Sequence, residues 1–200
     1  MSSPFRYPER PHVRRHGPAG YADHESYRPW LRDEFAYRCV FCLSREAWGP
    51  LRGRFAIDHF IPVALAPLAA DRYENLLYAC MTCNNVKGVQ LVPDPLDVLL
   101  AGSVRIETDG SLHTDSIEAL KLIEMLDLNA PRQVEFRSLW MSVLALAERF
   151  DPALHGRLLA YPNDLPDLTR LKPPDGNARQ MGIAESYFAR RERGELPASY

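Results

Sequence analysis

A chain of 200 residues has room for one domain, or one domain with an appendage, and its 46% hydrophobic content is enough to build a core. The formal net charge of -2 excludes a polycation, so any nucleic-acid binding must come from a local basic face. No apolar run reaches the ~18 residues of a membrane span, and the start, Met1-Ser2-Ser3-Pro4-Phe5-Arg6, lacks an apolar signal core, so a soluble, cytoplasmic protein with no membrane partner is expected.

Residues 1–23 are rich in Pro and Gly and show no periodicity, which predicts an extended arm. The arm carries Arg6, Arg10, Arg14 and Arg15 against the single early acid Glu9. This makes Arg14 and Arg15 candidate phosphate contacts, with a solvated terminus as the alternative. A helix is predicted over about 25–37, with Pro29 in its first turn and its aromatics in the core. Arg54 to Ile61 reads as a strand that Pro62 ends, and Leu76 to Ala79 as a second. A helix follows from Met81 to about Val89.

Beyond Pro93 and Pro95, Asp109-Gly110 between Ser103–Glu107 and Ser111–Thr114 signals a hairpin. Ser116 is a good N-cap for a helix to about Asp127, with Ile117, Leu120, Ile123 and Leu126 or Met125 inward. A second helix follows Pro131 to about Phe150, and its predicted core stripe is Val134, Leu139, Val143, Leu146 and Phe150. Residues 151–200 are Pro-rich and read as a tail around the body. The expected division is therefore an arm (1–23), a knuckle-bearing unit (24–92), a hairpin with two helices (93–150) and a tail (151–200).

The four cysteines fall in two pairs, Cys39-Val-Phe-Cys42 and Cys80-Met-Thr-Cys83. Without a signal peptide, disulfides are not expected, and a redox motif would need one such pair beside a βαβ pattern. The spacing points instead to a closed, tetrahedral structural zinc site. Between the pairs lie Asp58-His59-Phe60-Ile61-Pro62 and Asn75-Leu76, and after them Asn84-Asn85-Val86-Lys87.

This order resembles the HNH endonuclease family, over residues 39–88. The resemblance implies an α+β protein: a small zinc-stabilised ββα-metal core, here with additional helices, a hairpin and extended termini. It implies hydrolysis of DNA phosphodiester bonds, with His59 as general base and Asp58 and Asn84 as ligands of a catalytic Mg²⁺ or Mn²⁺. Asn75 would bond loop backbone and orient His59. Many members have His at the Asn84 position, and Asn marks a variant subset. Many also carry Gly-Gly after the Asp-His-x-x-Pro turn, where this chain has the bulkier Val63 to Ala70. Lys87, three residues after Asn84 on one helix face, would meet a phosphate or stand in solvent, and Arg54 is a further candidate nucleic-acid contact. Two rivals remain open at this point. One is a zinc-structured nucleic-acid-binding module that does not cut. The other is an adaptor whose helices at 116–150 dock a protein partner.

Overall fold

The structure, a computed structural model, describes residues 4–8, 10–48, 55–197 and 200. Arg54 lies outside the described residues. The fold is mixed α+β with two small antiparallel sheets. A 3₁₀ turn at His24–Tyr27 leads into helix α1, Arg28–Glu34. Helix α1 is shorter than predicted, because Ala36 and Tyr37 take positive φ values of 51° and 57° and turn the chain toward the first cysteine pair. Strands β1 (Phe55–His59) and β2 (Leu76–Cys80) pair from Phe55 opposite Cys80 to His59 opposite Leu76. Helix α2, Met81–Lys87, follows β2 without a loop and ends at Gly88. The paired strands and the helix thus form one unit with the second cysteine pair at its corner.

A short helix α3, Pro95–Val98, precedes the second hairpin, β3 (Val104–Ile106) with β4 (Leu112–Thr114). Gly110 in its turn has φ +90°, and a Cβ there would stand 2.6 Å from the Val134 carbonyl, so both the turn and the helix beneath it require glycine. Helix α4, Ile117–Met125, is capped by Ser116 Oγ accepting from the Ala119 amide. Helix α5, Pro131–Phe150, packs on the short helix α6, Pro152–Leu158.

The inward face of α5 is not the predicted one. Gln133, Arg137, Trp140, Leu144 and Ala147 are buried, whereas Leu139, Leu146 and Phe150 are exposed. Polar partners decide the rotation: Arg137 donates to the carbonyls of Gly110 and Leu128. Trp140 stacks on Trp48 at 4.1 Å and 6°. On α4, likewise, Ala119, Leu122 and Ile123 are buried while Ile117 and Leu120 are exposed.

One contiguous core draws on every part of the chain, from Phe5 and Tyr7 through the cysteines and Leu122 to Leu168. The arm is extended but packed. Two consecutive buried acids at the end of α1 hold it: Glu34 accepts from the Arg15 and His16 amides, from Tyr73 and at His12, and Asp33 bonds His16 Nε2 at 2.8 Å. Asp33 also accepts from the Tyr187 amide, at the start of helix α8 (Tyr187–Glu192). The tail lies along the arm, with a bridge between Pro18 and Asn177. Helix α7, Met181–Ala184, meets the arm so closely that a Cβ on Gly182 would fall 2.0 Å from the Arg15 carbonyl.

Burial alone would push the Glu34 carboxyl up, but the hydrogen bonds from His12 and the Arg15 amide, with the charge of Arg14, outweigh it and hold the pKa at about 2. A folded-state value below the unfolded one means stability that is present above the ordinary 4.5 and is lost as pH falls toward about 2. Glu34→Gln is therefore expected to cost on the order of 3 kcal/mol at neutral pH, from the size of the shift. The gap between variant and parent should shrink between pH 4.5 and about 2, as read by denaturant melts at stepped pH. A gap that stays constant with pH would contradict this role.

Candidate metal centre and active site

The first cysteine pair sits on a knuckle. The Leu43 amide bonds the Cys39 carbonyl, the Cys39 amide bonds the Ser44 carbonyl, and Leu43 takes φ 56° to close the turn. The Val40 amide ties the knuckle to the Tyr78 carbonyl on β2. Tyr7, from the arm, donates to the Phe41 carbonyl in the same turn. Cys80 ends β2 and caps α2, and Cys83 lies in the first turn of α2.

All four cysteines are buried and unoxidised, and their Sγ atoms lie within 4.8 Å of one another. The Cys42–Cys80 sulfurs are 3.8 Å apart. A tetrahedron with Zn–S bonds of about 2.3 Å has edges of about 3.8 Å, so the cluster has the size of a four-thiolate zinc site. Burial pushes the Cys39 thiol well up, and hydrogen bonding among the cysteines does the same for Cys83. Metal uptake by this cluster must therefore release protons.

Asp58 and His59 stand at the end of β1, beside the last turn of α2. The His59 Nε2 lies 3.0 Å from the Ala70 carbonyl, an acceptor only, so Nε2 carries the proton and Nδ1 keeps its lone pair. Burial holds the His59 imidazole below its usual range; the Ala70 bond opposes this, while His24 and Lys87 add to it. The ring of His24 meets that of His59 edge-on at 4.9 Å. Asn75 fixes the loop between the strands: its Oδ1 accepts from the Ile61 amide, and its Nδ2 donates to the carbonyls of Ile61 and Ala69. The apolar loop at 63–70 thus supplies the carbonyl that orients His59, while Leu68 at its tip is 91% exposed.

Lys87 departs from both sequence expectations. It is fully buried, donating to Asp58 Oδ1 at 3.0 Å and to the His59 carbonyl at 2.7 Å. A lysine in this position meets no phosphate; it is the counter-charge of Asp58. Burial nevertheless pushes the Asp58 carboxyl up to about 6, against the pull of Lys87. Asp58 Oδ2 is buried with no hydrogen-bond partner. Half-buried Asn84 lies one turn before Lys87 on the same helix face. An orphaned carboxylate oxygen and an amide oxygen have the donor chemistry of a hard divalent ion, and the neighbouring ammonium weakens such a site by repulsion.

Arg14 and Arg15 are also turned inward rather than toward a ligand. Arg14 donates to the Leu76 carbonyl at 2.7 Å and lies over the rings of Phe35 and Tyr73. Arg15 bonds the Asp33 carbonyl and carboxylate and lies over Tyr187. The buried acids and aromatics of α1 outcompete solvent for these guanidiniums. No periodicity signal marks such pairings. His24, the Ala70 carbonyl and the Lys87–Asp58 pair were likewise missed, since each joins residues distant in sequence.

Among the described residues no helix is long and apolar enough to cross a membrane. Comparison of the chain with protein-family models, with curated proteins and with solved structures found no match.

Proposed function

We propose that the chain is a zinc-stabilised, divalent-metal-dependent endonuclease of the HNH type that hydrolyses DNA phosphodiester bonds. The observation that carries this reading is the state of His59. Its Nε2 is engaged by a backbone carbonyl and its Nδ1 keeps a lone pair, burial holds the imidazole below its usual range, and Asp58, next to it in the strand, has an orphaned carboxylate oxygen. Nδ1 takes a proton from water as the water attacks phosphorus, and the Nε2–H···O=C bond to Ala70 steadies the imidazolium that results. Asn75 keeps both ends of the loop in place during this transfer. Asp58 Oδ2 and Asn84 would hold Mg²⁺ or Mn²⁺, which when bound supplies positive charge for the phosphoryl and leaving oxygens. The four-cysteine zinc would be structural, fixing the corner from which α2 delivers Asn84.

The test is cleavage of plasmid DNA by purified protein with Mg²⁺ or Mn²⁺. His59→Ala is expected to lower the rate by about 10² to 10⁴ while leaving the protein folded and its zinc content unchanged, because the imidazole ligates neither metal. Parent-like cleavage by that variant, or no cleavage by the parent with either ion, would remove the reading.

A second reading has its own observation. Leu139, Leu146 and Phe150 are exposed along one side of α5, as a helix docking a protein partner would present them. In that case the knuckle is a staple alone, and substitutions at His59 change nothing measurable.

A further inference from the structure

On the far side of the first knuckle, Arg38 and Arg45 form a second charged site. They flank the knuckle in sequence and face each other in an isolated antiparallel bridge, so the turn that carries Cys39 and Cys42 also sets two guanidiniums side by side. Both lie over the ring of Tyr200, at 5.0 and 4.2 Å, and Arg45 also lies over Trp48 at 5.5 Å. Arg45 is only 2% exposed. Its Nε and one terminal nitrogen and the Nε of Arg38 are buried without a hydrogen-bond partner, while the Tyr200 hydroxyl lies close enough to Arg45 to interact with it. Among the described residues no carboxylate pairs with either arginine. Glu107 and Glu148 stand on the wall of the same pocket and bond neither of them.

Buried guanidiniums are ordinarily paired, because an unpaired buried charge costs several kcal/mol in lost hydration. Here two like charges share one desolvated corner. Burial, then the charge of Arg38, pushes Arg45 down to about 9, and burial pushes Arg38 down as well. The corner opens into a pocket of about 1290 Å³ whose wall adds Arg6, Arg10 and His155, with Ile106, Met141 and Leu144 as an apolar side. A pocket of that size holds a small organic molecule.

We infer that this pocket binds the phosphate group of a small phosphorylated ligand of mononucleotide size, with Arg38 and Arg45 as its anion-binding pair. Two adjacent guanidiniums with free donors match the spread of oxygens on a phosphate monoester, whose two charges also relieve their mutual repulsion. The apolar wall takes the remainder of the ligand. This site is separate from His59 and does not depend on the nuclease reading.

The experiment is calorimetric titration and thermal melting of the full-length, zinc-loaded protein with inorganic phosphate, with AMP and with a 5′-phosphorylated oligonucleotide. Phosphate is expected to bind and to raise the melting temperature, and AMP to bind more tightly. Arg45→Met and Arg38→Met keep the side-chain packing on Tyr200, and each should weaken phosphate and AMP binding about 10- to 100-fold. Without anion, Arg45→Met should melt no lower than the parent, since it removes an unpaired buried charge. His59→Ala should bind phosphate as the parent does. The inference is overturned if about 10 mM phosphate leaves the parent's melting temperature unmoved. Undiminished binding by both arginine variants would overturn it as well. So would an oligonucleotide that binds through Arg45 when AMP does not, which would assign the pocket to nucleic-acid ends.

Discussion

Stripping the metal from the four-cysteine centre, or replacing Cys80 by Ser, is expected to unfold the hairpin and helix unit and with it much of the chain. The sulfurs come from two knuckles, 38 residues apart between Cys42 and Cys80, and they occupy the middle of the core rather than its edge. Structural zinc in small units contributes on the order of 10 kcal/mol of folding free energy, comparable with the whole stability of an ordinary domain. Without metal the site holds four buried thiols where close-packed apolar groups would otherwise sit. The arm would loosen too, since Tyr7 bonds the Phe41 carbonyl inside the first knuckle. A chelator titration followed by circular dichroism should show one cooperative loss of structure with release of one zinc per chain. Elemental analysis that finds no zinc in folded protein would defeat this account.

Lys87→Met is expected to cost about 3–5 kcal/mol, the usual penalty for leaving one partner of a buried ion pair alone. The lysine has no exposed surface, and its ammonium serves both Asp58 Oδ1 and the His59 carbonyl. Its loss leaves a buried carboxylate with neither oxygen bonded. Removing the acid as well, in Asp58→Leu with Lys87→Met, should recover part of the stability, because two apolar groups then face each other. The single variant carries a second expectation. With the ammonium gone, the repulsion against a cation at Asp58 is gone, so millimolar Mn²⁺ or Mg²⁺ should raise the melting temperature of Lys87→Met more than that of the parent. Equal metal effects on the two proteins would show that Asp58 holds no ion.

The cysteine convergence, the second hairpin and the two strands between the cysteine pairs were legible in the sequence because their signals are local. A Cys-x-x-Cys spacing and an Asp-Gly turn are readable within a few residues, and the composition of β1 and β2, with Pro62 as a stop, marks them as strands. The face of α5 was not legible. A periodicity count places apolar groups inside, and here Arg137 is buried because carbonyls of the neighbouring hairpin and loop accept from it, with Gln133 buried one turn before it. The basic residues failed in the same way. Arg14, Arg15 and Lys87 read in the sequence as phosphate contacts or solvated charge, and all three point into protein, toward acids or carbonyls supplied by distant segments. Charge pairing across the chain leaves no periodic trace, so the candidate site's chemistry was visible and its electrostatic wiring was not.

The arm and the tail are sewn together by bonds that span almost the whole chain: the Gly17 amide to Asn177 over 160 residues, Arg179 to the His16 carbonyl over 163, and the Tyr187 amide to Asp33 over 154. Closing loops of that length carries a large entropic cost before any contact offsets it. The hairpin and helix unit therefore has every reason to assemble first, with the seam forming late. On the ribosome, Asp33 and His16 must wait for residues 177–187 to emerge before their surroundings are complete. Both strands, the helix after them and all four cysteines have been made by residue 87, and the molecule is sealed only after synthesis has passed the seam.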